Sequence, residues 1–85
     1  MENQSDGISV IILEKDIQII RMENVKVIRI KSSNYNLLIM KDYLPVVGEI
    51  DGSIVIEGDD TVTYDHIKAI YTNAKNKFYL LVKEK

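Results

Sequence analysis

The apolar residues of this chain come in short blocks. The longest uninterrupted one, Phe78–Val82, is five residues, and clusters rich in Gly, Asn, Asp or Ser return between blocks at a spacing of roughly ten. Blocks this short suit strands, and they fall far below the roughly 18 apolar residues needed to cross a membrane. The residue types agree: Ile and Val abound, five tyrosines are present, and alanine occurs only twice. Branched and aromatic side chains pack well on a pleated surface. The pattern predicts an all-β fold, a small antiparallel β-sandwich or flattened barrel of seven to nine short strands, mostly hairpin-connected.

In order, the predicted strands are Ile8–Leu13, Ile17–Met22, Val25–Lys31, Tyr35–Met40, Val46–Ile50, Ser53–Glu57, Thr61–Tyr64, Ile67–Thr72 and Phe78–Lys83. Glu14-Lys15-Asp16, Glu23-Asn24 and Ser32-Ser33-Asn34 supply turns, and Pro45 makes Lys41–Pro45 irregular because it lacks an N–H and restricts Leu44. Asp51-Gly52 is the strongest hairpin signal, since a type I′ turn needs positive φ at both central residues. Gly58-Asp59-Asp60 reads as a further hairpin loop and Asn73–Lys77 as the last. Residues 64–75 are open to two readings. Ile67, Ile70, Tyr71 and Ala74 share one face of a helix capped by Thr63, whereas Ile67, Ala69 and Tyr71 alternate as in a strand. The strand is favoured, because the Phe78–Val82 block needs a partner.

Residues 1–7 are polar and read as a loose tail, leaving 8–85 as one domain. With no basic leader and no membrane-length block, the expected compartment is the cytoplasm. A net charge of −2 argues against a general nucleic-acid binder, and the lack of cysteine excludes disulfides, thiolate metal sites and thiol chemistry. Charge is uneven: Glu49, Asp51, Glu57, Asp59, Asp60 and Asp65 stand in a stretch with no Lys or Arg, and five lysines follow before the end. His66 is the only histidine and belongs to no nucleophile motif, and Gly7, Gly48, Gly52 and Gly58 are too dispersed for a phosphate loop. Acids at Glu57, Asp59, Asp60 and Asp65 could pair for acid–base work or offer oxygens to a cation, but they lack the spacing of a calcium loop. Stacking by Tyr35, Tyr43, Tyr64, Tyr71 and Tyr79 beside Arg21, Lys26, Arg29 and Lys31 is the pattern a small barrel would use on single strands. On balance no catalytic residue, metal site or cofactor is assigned, and an enzyme is not expected.

Leu37-Leu38-Ile39-Met40, Leu44-Pro45-Val46-Val47 and Gly52-Ser53-Ile54-Val55-Ile56 together resemble the N-terminal β-sandwich of ATP synthase epsilon subunits. The likeness covers about twenty residues. The family's glycine before the first of these strands and its loop histidine are missing, the latter replaced near Tyr43, and so is its C-terminal helical pair. The resemblance implies a β-sandwich and a non-catalytic subunit that works by contact.

Several blocks are apolar on both faces, which a strand with one wet face avoids. Ile8, Val10 and Ile12 oppose Ile11 and Leu13, and Phe78, Leu80 and Val82 oppose Tyr79 and Leu81. A chain of 85 residues has little mass to cover both. The expected function is therefore a non-enzymatic protein-interaction or assembly module that self-associates, with itself or another protein as partner. Its expected interaction face is Ile11, Leu13, Tyr79 and Leu81, carried on terminal strands placed at sheet edges. A nucleic-acid-binding barrel and a ligand- or cation-binding accessory domain are the alternatives.

Overall fold

A computed structural model describes residues 7–14 and 18–85. The expected tail up to residue 6, the turn residues Lys15 and Asp16, and Ile17 lie outside the described residues. Gly7, the last residue of that expected tail, is buried, and a Cβ on it would lie 2.5 Å from the Val25 carbonyl oxygen.

The described residues form seven strands: β1 (Ile8–Glu14), β2 (Ile19–Val25), β3 (Val27–Ser32), β4 (Asn36–Met40), β5 (Val46–Glu57), β6 (Thr61–Ala74) and β7 (Lys77–Glu84). They make one sheet in the order β2-β1-β7-β6-β5-β3-β4. Every pair is antiparallel except β1 with β7, which runs parallel. The first half of β5 and the second half of β6 continue into β7, β1 and β2, while their other halves join β3 and β4. Between Gly52 and Ile54 the β5–β6 register shifts, β6 carrying one extra residue there, and His66 adopts a φ of 58°. Such a bulge bends the pair and sharpens its twist. The single sheet thereby folds over itself into two layers.

Alternation decides what lies between the layers. Ile8, Val10 and Ile12 of β1 and Phe78, Leu80 and Val82 of β7 point inward from one layer. Ile28, Ile30 and Ile39 answer from β3 and β4. All nine are at most 1% exposed and belong to one continuous core cluster. Each such aliphatic burial contributes roughly 1.5–3 kcal/mol.

The all-β expectation stands, with seven strands, but two pairs of predicted strands are fused. Val46–Ile50 and Ser53–Glu57 are one strand, so Asp51-Gly52 is not a hairpin turn. No glycine has positive φ. Gly52 is needed for close approach instead: a Cβ there would lie 2.1 Å from the Lys31 carbonyl oxygen. Likewise Thr61–Tyr64 and Ile67–Thr72 belong to one strand, which resolves residues 64–75 as strand rather than helix. Glu23-Asn24 is no tight turn. Asn24, at φ 58°, lies in a bulge of β2, and Lys26 then carries the chain into the other layer, its N–H donating to the Glu57 carbonyl. A two-residue turn with positive φ does exist, at Lys75 (53°) and Asn76 (61°), where it joins β6 to β7. The predicted turns at Ser32–Asn34 and Gly58–Asp60 are present.

Candidate interaction face

β1 and β7 are not edges; β2 and β4 are. The two terminal strands lie side by side inside the sheet, because the parallel β1–β7 pairing closes the β6–β7 hairpin onto the β1–β2 hairpin. Their open hydrogen-bonding edges are therefore filled, and what they offer outward is a face.

Parity along the strands builds that face. The residues that alternate with the buried set project away from the core, and the parallel register sets Ile11 beside Tyr79 and Leu13 beside Leu81. The structure thus brings together all four residues expected to form an interaction face. Leu13, Tyr79 and Leu81 are each more than 40% exposed, and Ile11 is partly so. The pairing carries both rows further. Leu13 is joined by Ile19 on β2, and Leu81 by Ile70 on β6, next to which stands Glu49 on β5. Ile11 has Arg21 on β2, and Tyr79 has Thr72 on β6 followed by Val47 on β5. Ile19 and Val47, 53% and 72% exposed, were not anticipated as members. Each stands beside a core-side apolar residue, Ile20 or Val46, a two-residue signal too short to assign a face, and the register supplies the assignment.

Charge is confined to the rim of this surface. Arg21 stands at the β2 end and Glu49 at the β5 end, and neither side chain has an ion-pair partner among the described residues. A shallow cleft at the β2 end is lined by Ser9, Ile11, Arg21, Glu23, Lys77 and Tyr79. The opposite outer face differs. Leu38 and Met40 of β4 are exposed, but Leu38 pairs with Arg29, whose Nε donates to Glu57 Oε2 at 2.9 Å. That ion pair interrupts the apolar surface.

Polar ties between the layers hold the sheet behind the face. The Tyr64 hydroxyl donates to Glu14 Oε2 at 2.5 Å, and Lys85 Nζ donates to Glu14 Oε1 at 3.0 Å. These bonds, the tyrosine's first, hold the Glu14 carboxyl below its ordinary range. Burial and the same carboxylate push the Tyr64 hydroxyl up. The Tyr35 hydroxyl donates to the Glu49 carbonyl and meets the Tyr71 hydroxyl at 3.0 Å. Burial, and then the Tyr35 contact, raise Tyr71. Tyr71 also stacks on Phe78 at 5.6 Å.

The remaining candidates are dispersed. Of the five tyrosines Tyr71 is buried, Tyr35 and Tyr64 spend their hydroxyls internally, and Tyr79 alone stands more than a third exposed. Arg21 belongs to the layer of β1, Arg29 and Lys31 to that of β3, so no basic strip forms. Glu57 is paired with Arg29, Asp59 and Asp60 are exposed in the β5–β6 loop, and no group of three metal-competent side chains gathers among the described residues. His66 is exposed on its bulge. No helix of the structure is long and apolar enough to cross a membrane.

No protein-family model matches the chain, and no curated protein matches it in sequence. Among solved structures it is similar to a chain of the central stalk/c-ring of the Tetrahymena thermophila mitochondrial ATP synthase. The TM-score is 0.76 at 13% identity, over 96% of this chain and 67% of that one. The shared property is the fold. The resemblance read at Leu37–Ile56 is therefore supported as a shared fold with a chain of that assembly, and the match does not single out the epsilon subunit.

Proposed function

We propose that this chain is a non-enzymatic assembly module that acts by protein contact through the outer face of β2-β1-β7-β6-β5, and that it self-associates there. One observation carries the reading: two adjacent rows of outward-facing side chains, apolar but for Thr72, cross five strands, with charge only at their ends. Isolated surface leucines are ordinary, whereas a continuous apolar patch rimmed by polar residues marks a contact site. Likeness in fold to an ATP synthase stalk chain supports a role in assembly.

Sedimentation equilibrium from micromolar to near-millimolar concentration tests it, with Leu81→Lys as the variant. Leu81 faces outward, so lysine there leaves the fold intact. The wild type is expected to exceed 9.8 kDa as concentration rises and the variant to stay at that mass. A wild type that remains at 9.8 kDa throughout defeats self-association.

A further inference from the structure

Resting on that reading, we propose that two copies stack face to face about a two-fold axis along β7, so that Arg21 of each protomer pairs with Glu49 of the other. The face is ordered β2-β1-β7-β6-β5, which puts β7 at its centre and makes β2 and β5 equidistant from it. A two-fold along β7 lays β2 of one copy over β5 of its partner and sets Leu81 and Tyr79 against their own counterparts. Leu13 then meets Ile70. Arg21 sits in the row of Tyr79 and Glu49 in the row of Leu81, so their offset is one alternate residue, about 7 Å along the strand. Packed sheets lie about 10 Å apart, and an arginine and a glutamate extended toward each other span both distances. Two charges of opposite sign without an ion-pair partner among the described residues, at opposite ends of two adjacent rows, are thereby satisfied twice by one symmetry operation. The other face-to-face two-fold, running across the strands, would lay β2 on β2 and β5 on β5, so that the same one-residue offset separates Arg21 from the partner's Arg21 and Glu49 from the partner's Glu49, like charge against like.

The size of the face agrees with a reversible dimer. Five strands by two alternate residues cover on the order of 350 Å², or about 700 Å² for two copies, which is the weak, transient end of the range for protein contacts. Association is therefore expected at micromolar concentration or above.

Charge exchange tests the geometry. Arg21→Glu, Glu49→Arg and the double exchange are compared with the wild type by sedimentation equilibrium at low salt. Each single exchange places like charges opposite each other at two symmetric positions and is expected to weaken the dimer about tenfold, while the double exchange returns to within about threefold of the wild type. A double variant no better than the singles overturns the two-fold along β7, as does a wild type that stays monomeric. If Leu81→Lys abolishes association while both charge variants associate as the wild type does, the face is right and the axis wrong. If association survives Leu81→Lys, it is the contact face itself that fails.

Discussion

The Tyr71 hydroxyl lies where a side chain on Gly48 would begin: a Cβ there would be 2.5 Å from the hydroxyl oxygen, 2.7 Å from Cζ and 2.9 Å from Cε1. The ring cannot retreat, because it stacks on Phe78 and its hydroxyl meets Tyr35. Gly48→Ala should therefore cost about 1–3 kcal/mol in chemical denaturation, as overpacking does. Adding Tyr71→Phe should recover only part of that loss, since the ring carbons still crowd the new methyl. Full recovery would show that the hydroxyl alone sets the fit.

Gly52 offers a test between two roles of glycine. Were it in a type I′ turn, Asn would be tolerated, because Asn accepts positive φ. Here the Lys31 carbonyl lies against it, so any Cβ is excluded. Gly52→Asn and Gly52→Ala should both lose about 2 kcal/mol or more, and Gly52→Val at least as much. An Asn variant as stable as the wild type would restore the turn.

These glycines show what was legible in the sequence. An Asp-Gly pair between apolar blocks looks the same whether glycine is wanted for its φ or for its missing Cβ, so Asp51-Gly52 signalled a turn inside a continuous strand. The real positive-φ turn, Lys75-Asn76, contains no glycine and read only as a polar loop. Asn24 and His66 have the same left-handed backbone within bulges, which two-residue periodicity cannot register. The period did settle the faces. Ile11, Leu13, Tyr79 and Leu81 were separable from the core by parity alone. Their adjacency was not, because β1 meets β7 through a parallel pairing between the two ends of the domain, and no local signal encodes such a contact. Placing these strands at sheet edges was wrong for the same reason.

The Lys75-Asn76 turn can be improved at one position only. Asn is favoured over Lys at the first central residue of a type I′ turn, so Lys75→Asn should stabilise by about 0.5 kcal/mol or slightly more. Asn76→Gly should bring no gain. Asn76 Oδ1 accepts from the Asp42 N–H at 2.6 Å, and Asn76 Nδ2 donates to Asp42 Oδ1 at 3.0 Å, and both bonds would go. Thermal midpoints of the two variants check the contrast.

Glu14 sets an acid limit. Its carboxyl is held below the ordinary value of 4.5 by Tyr64 and Lys85, so the stability it contributes is full above that value and is lost as pH falls through the lower folded-state value. Tyr64→Phe removes the first of these bonds. The stability difference between wild type and Tyr64→Phe should be largest near neutrality and shrink below pH 4.5, as urea unfolding across pH 2–7 would show. A difference constant over that range would mean that the hydroxyl bond does not favour the charged carboxylate.

The parallel pairing of β1 with β7 also determines how the domain bears load. Six residue pairs, from Ser9 with Lys77 to Glu14 with Val82, join the two strands in continuous register. Tension applied between the start of β1 and the end of β7 acts along both strands in opposite directions. The hydrogen bonds between them are then sheared together instead of being peeled one by one. A sheet wired in this way yields to heat or denaturant like any small domain, yet resists being pulled apart along that line, a mechanical clamp formed where its first and last strands meet.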